Sequence, residues 1–79
     1  MDLLIREAVK QLKRDNPAAL RAFDAMRAAG KSPHDADDEL AHAVRACLEE
    51  VYRGLPDRLP TVLSALAAGG STRELFRSG

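Results

Sequence analysis

Proline and glycine punctuation constrains this chain more than any other feature. Asn16-Pro17, Gly30, Ser32-Pro33, Gly54 and Gly69-Gly70-Ser71 cut 79 residues into short segments, each amphipathic and rich in alanine. Between the breaks, apolar residues recur at intervals of three and four rather than two, which is helical periodicity. No strand pattern, internal repeat or low-complexity tract competes with it. The expected fold class is all-α, a compact single domain over residues 1–79 built as a bundle of four helices plus a short C-terminal helical turn.

Each segment carries its own start and stop signals. The first helix is expected over Leu3 to Arg14, with Asp2 as its cap and Leu4, Ile5, Ala8, Val9 and Leu12 on one face. Asn16 reads as an N-cap and Pro17 as the first residue of a second helix, because an asparagine oxygen accepts orphan amide hydrogens and proline has no amide to lose there. That helix runs to about Ala29 and turns Ala19, Phe23 and Met26 inward, flanked by Leu20 and Ala22. Gly30 then suits a left-handed stop.

Ser32-Pro33-His34-Asp35 opens the third helix with a capping box in which aspartate stands for the usual glutamate or glutamine. The helix should reach Tyr52 or Arg53 and stop at Gly54. Counting about 100° per residue from Leu40, Ala36, Ala43, Val44, Cys47 and Val51 share its side, with Leu48 at the edge. Asp38, His42, Arg45, Glu49 and Arg53 share the other. A fourth helix begins near Asp57 or Pro60 and presents Leu59, Val62, Leu63 and Leu66 at core spacing. Leu40, Val44, Leu63 and Leu66 are the expected centre of the core. Beyond Gly69-Gly70, Ser71-Thr72-Arg73-Glu74 is a full capping box for a piece too short to be stable alone. Residues 71–79 either dock on the body or remain mobile.

Composition narrows the function classes. The only aromatic residues are Phe23, Tyr52 and Phe76, so packing must rest on leucine, valine and alanine, each alanine burying little area. The single Cys47 permits no internal disulfide. With no signal peptide and no apolar run of membrane-spanning length, the expected location is the cytoplasm and no membrane partner is expected. Net charge is zero, yet it is segregated: residues 1–31 carry +3, residues 32–50 carry −5 and the remainder +2. No basic run of the kind that grips nucleic acid or anionic lipid is present.

Candidate sites are few. Glu39-Leu40-Ala41-His42 has the E-x-x-H spacing of carboxylate-bridged metal bundles. Those sites draw on a second such motif, which a dimer would supply, with Asp38 and His34 nearby at four-residue spacing. A metal-binding protein using this motif is the alternative reading of function. The plainer reading of His42 is a solvated polar face. Asp35, Asp37, Asp38 and Glu39 lack the glycine and twelfth-position glutamate of a calcium loop. As acids in the first turns of a helix they stabilise its positive end. A helix-turn-helix through Gly30 would ask this acidic helix to read DNA, where cations are required. The weaker nucleic-acid reading uses Lys10, Lys13, Arg14 and Arg21. Among nucleophiles, Ser32, Ser64, Ser71 and Cys47, none has a base in prospect, since Cys47 and His42 fall on opposite sides of one helix. No catalytic residue, cofactor or small-molecule ligand is expected.

The run Gly30-Lys31-Ser32-Pro33-His34-Asp35-Ala36, continuing through Leu40-Ala41-His42-Ala43-Val44, resembles the centre of small all-helical bacterial proteins of unknown function, in which a glycine turn precedes a helix with spaced histidines. The resemblance implies an all-helical fold and brings no site or activity with it. The abundance of alanine and of arginine over lysine fits a GC-rich bacterial genome. The expected function is a non-catalytic accessory or regulatory module that binds another protein, or a second copy of itself. Its contact residues are Asp38, His42, Arg45 and Glu49, with Leu75 and Phe76 as a second, separate apolar patch.

Overall fold

The computed structural model describes residues 3–76. It is all-α, with five helices among the described residues: α1 (Leu3–Asp15), α2 (Pro17–Ala28), α3 (Pro33–Tyr52), α4 (Leu59–Ala67) and α5 (Thr72–Leu75). Asp2, expected as the cap of α1, lies outside the described residues. None of the described helices is long and apolar enough to cross a membrane.

The capping signals work as local chemistry requires. The side-chain oxygen of Asn16 accepts the Ala18 amide at 2.9 Å, and the Ser32 hydroxyl accepts the Asp35 amide at 3.1 Å. The Ser71 hydroxyl does the same for Glu74 at 3.2 Å. At α4, Asp57 accepts the Leu59 amide at 2.9 Å, so the helix starts between the two expected positions. Helix ends are equally well closed. After α3 the Leu55 amide returns to the Glu50 carbonyl at 2.9 Å, a reversal that needs the left-handed backbone of Gly54, at φ +85°. After α4 the Gly70 amide reaches the Ala65 carbonyl at 2.8 Å. A side chain at Gly70 would sit 3.0 Å from that oxygen, which is why the turn carries two glycines.

Packing follows from the alanine content. Leu40, Val62, Leu63 and Leu66 are the largest fully buried side chains, and Val9, Ala19, Ala22, Met26, Ala36, Ala41, Ala43 and Cys47 complete the core. Among the described helices, α2 and α4 make the most extensive contact, with α2 bringing Ala19, Ala22 and Met26 into the core and α4 bringing Val62, Leu63 and Leu66. Ile5, Leu12, Phe23 and Leu59 are partly buried against this cluster.

Several burial expectations are corrected. Leu4 is 77% exposed and Ala8 is also exposed, because α2 and α3 cover only the arc of α1 around Ile5, Val9 and Leu12. Leu20 is exposed and Phe23 only half-buried, with the Lys13 ammonium 4.2 Å from the Phe23 ring centre. On α3, Val44 is half-buried and Val51 exposed, because the start of α4 leaves an open hollow there, bordered by Asp57 and Leu59. Ala41, unassigned by the angular count, is buried. It borders a depression with Val9 of α1, where Lys13 also meets Asp37 at 2.6 Å.

Leu63 sits at the centre of this arrangement. Leu63→Ala should lower unfolding free energy by about 2–5 kcal/mol, read from urea denaturation. A loss under ~1 kcal/mol would show that α4 does not anchor the core.

Candidate functional site

The third helix spans the core and exposes one long polar side, and the C-terminal segment lies beside it. The Thr72 amide donates to the Glu39 carboxylate at 2.9 Å, and the Thr72 hydroxyl donates to the Glu39 carbonyl at 3.4 Å. Thr72 is the one buried polar residue among those described. Residues 71–76 are thus docked on α3, with Leu75 and Phe76 packed against the core cluster.

A second tie comes from the segment between α3 and α4. Arg58 donates two hydrogen bonds to Glu50, from Nε and from a terminal nitrogen, each at 2.9 Å. Donating to the Glu50 carboxylate raises the Arg58 pKa above its ordinary value. The guanidinium plane also lies 4.5 Å from the centre of the Phe76 ring, an arrangement in which a cation faces the ring quadrupole. One arginine therefore joins α3, the connection to α4 and the end of α5.

Docking of α5 creates an open groove of about 620 Å³ bordered by Glu39, His42, Arg45, Ala46, Glu49, Thr72, Arg73 and Phe76. His42, Arg45, Glu49 and Phe76 were expected in two separate patches, and the structure brings them to one. Arg45 pairs with Glu49 at 3.6 Å, an exposed pair of small energetic consequence. Asp38 is elsewhere. It pairs with His34 at 3.3 Å and faces the depression shared with Arg6, Val9 and Lys10. Leu75 borders a neighbouring hollow with Glu50, Arg53 and Arg58.

The remaining candidates are dispersed. The Glu39 carboxylate holds the amide of Thr72, and no group of three potential metal ligands occurs among the described residues. Lys10 lies 3.9 Å from Glu7 and Lys13 is held by Asp37, so part of the basic N-terminal set is engaged within the chain. Ser32 and Ser71 act as caps. Cys47 is buried while His42 is exposed, which keeps thiol and imidazole apart. Burial raises the Cys47 pKa, helped by the negative charges of Asp57 and Glu50.

Two groups of residues escaped the sequence reading. Glu39, Thr72 and Arg73 complete the groove, and only the docking of α5 could reveal that. Tyr52 and Leu55, in contrast, join Leu48 and Val51 on the surface at the end of α3, Leu55 lying beyond the reversal at Gly54. All four are exposed. Comparison with protein-family models, curated proteins and solved structures returned no match for this chain.

Removing the Glu39 carboxylate leaves the buried Thr72 amide without its acceptor. Glu39→Ala should cost about 1–3 kcal/mol and speed amide exchange in residues 72–75, whereas Glu39→Gln, which keeps an acceptor oxygen, should retain most of the protection. Equal exchange in both variants would break the assignment. A raised thiol pKa means that stability is complete below the unfolded thiol's pKa and declines as pH rises through the folded value. Folded Cys47 should accordingly react with a small disulfide reagent at pH 8 at least about tenfold more slowly than the urea-unfolded chain.

Proposed function

We propose that this protein is a non-catalytic accessory or regulatory module that binds another protein through the groove between α3 and α5. The observation that carries the reading is the convergence of His42, Arg45, Glu49 and Phe76 on one open surface. Its chemistry suits a peptide or helix edge. Phe76 supplies an apolar floor stiffened by Arg58, while His42 and Arg73 are exposed and form no ion pair among the described residues. Polar groups around an apolar centre are the usual anatomy of a reversible protein contact.

Support also comes from how the reactive side chains are used. The serines with backbone partners cap helices, the cysteine packs in the core, and the glutamate of the E-x-x-H motif secures α5. These roles are structural, and they leave the groove as a place to bind.

The test is capture from a lysate of the cells that make the protein, using the tagged chain, a His42→Ala/Arg73→Ala variant and an Asp24→Ala control. The expected result is a stoichiometric protein retained by the wild type and the control and lost with the double variant. Failure to retain any protein, or equal retention by the double variant, would overturn the reading.

A further inference from the structure

Every carboxylate around Phe76 is already engaged within the chain, while two of the guanidiniums there are not. The groove shares Ala46, Glu49 and Phe76 with the hollow next to it, which Glu50, Arg53 and Arg58 also border. Glu39 accepts the Thr72 amide at 2.9 Å, Glu49 faces Arg45 at 3.6 Å, and Glu50 receives both hydrogen bonds from Arg58. Arg53 and Arg73 are exposed and form no ion pair among the described residues.

We propose that the occupant of this surface is an acidic segment of another protein. An apolar side chain of that segment lies on Phe76, and carboxylates beside it meet Arg73 in the groove and Arg53 in the neighbouring hollow. The inference rests on the groove being the binding surface and adds the chemistry of what it binds.

Charge selects this occupant. Four arginines and three glutamates border the groove and the hollow, and both of the charges left over are positive. A basic segment would have to break the pairs that Glu49 and Glu50 already make. A wholly apolar one would strip water from Arg53 and Arg73 and replace it with nothing, which is costly for a charged donor. Carboxylates avoid both costs, because a guanidinium presents parallel N–H groups at the spacing of two carboxylate oxygens.

The geometry sets the length. From His42 to Arg53, the residue that ends α3, is about three helical turns or roughly 16 Å, a distance that about five extended residues cover. Phe76 is only half-buried, so part of its ring is left for an apolar side chain near the middle of such a segment, with acids on either side.

The test titrates the isotope-labelled full chain with a peptide in which one leucine is flanked on each side by two glutamates, and with its glutamine-for-glutamate copy. The acidic peptide should bind with Kd below about 1 mM and shift amides within 42–53 and 72–76. The glutamine copy should bind at least about tenfold more weakly. Arg53→Gln/Arg73→Gln, with helical circular dichroism unchanged, should lose at least about tenfold in affinity for the acidic peptide, and Lys31→Gln should lose none. Raising salt from about 50 to about 500 mM should weaken the wild type by a similar factor. Absence of binding, equal binding of the two peptides, or full affinity in the arginine double variant would overturn the proposal. The groove reading fails separately: a lysate protein lost with His42→Ala/Arg73→Ala, yet indifferent to salt and to Arg53→Gln, would keep the groove and discard the acidic occupant.

Discussion

The packing of α2 against α4 is the constraint on which the rest of the molecule depends. Ala19, Ala22 and Met26 of α2 and Val62, Leu63 and Leu66 of α4 are all buried, and those last three with Leu40 are the largest fully buried side chains. Fixing α4 in this way has two consequences. It fixes where the chain must leave α3, and it sends the segment after Gly69-Gly70 back across the front of the bundle.

That return path makes the surface. A four-residue helix has almost no stability of its own, so α5 exists because Glu39 accepts the Thr72 amide and because Arg58 sits over Phe76. Core packing thereby reaches the exterior in two short steps. The groove is a product of tertiary docking, with one wall from the polar side of α3 and the other from the last residues described. Were α5 released, His42, Arg45 and Glu49 would remain a flat charged helix face.

The core is modest. Below about 70–80 residues, a single core rarely supplies more than about 3–5 kcal/mol, and this one uses alanine at five of its twelve positions. Caps at Asn16, Ser32 and Ser71, the turn in which Asp57 accepts the Leu59 amide and glycine-closed helix ends add local support that does not depend on bulk. At the end of α3, Leu48, Val51 and Tyr52 are exposed, while Asp57 and Leu59 border the hollow beside Leu48 and Val51.

Much of the fold was legible because its signals are local. Caps at Asn16, Ser32 and Ser71, stops at Gly30 and Gly54, and the stripe Val62, Leu63, Leu66 each act within a turn or two of chain, where a residue's own chemistry decides the outcome. Burial of Val51 and Leu4 was misread because periodicity gives direction around a helix but not how far a neighbour extends along it. The site was legible in part. His42, Arg45 and Glu49 follow from their spacing on one helix, but their meeting with Phe76 and the departure of Asp38 do not.

By itself, then, the sequence determined the all-helical class, the position of nearly every helix end and the polar side of α3, through capping, glycine conformation and helical period. Only the tertiary structure decided that α5 docks, that the two expected patches form one groove and that the end of α3 stays bare. Those outcomes turn on contacts between residues as distant in the chain as Glu39 and Thr72. No local preference encodes such contacts, because they depend on where the packed core leaves each segment.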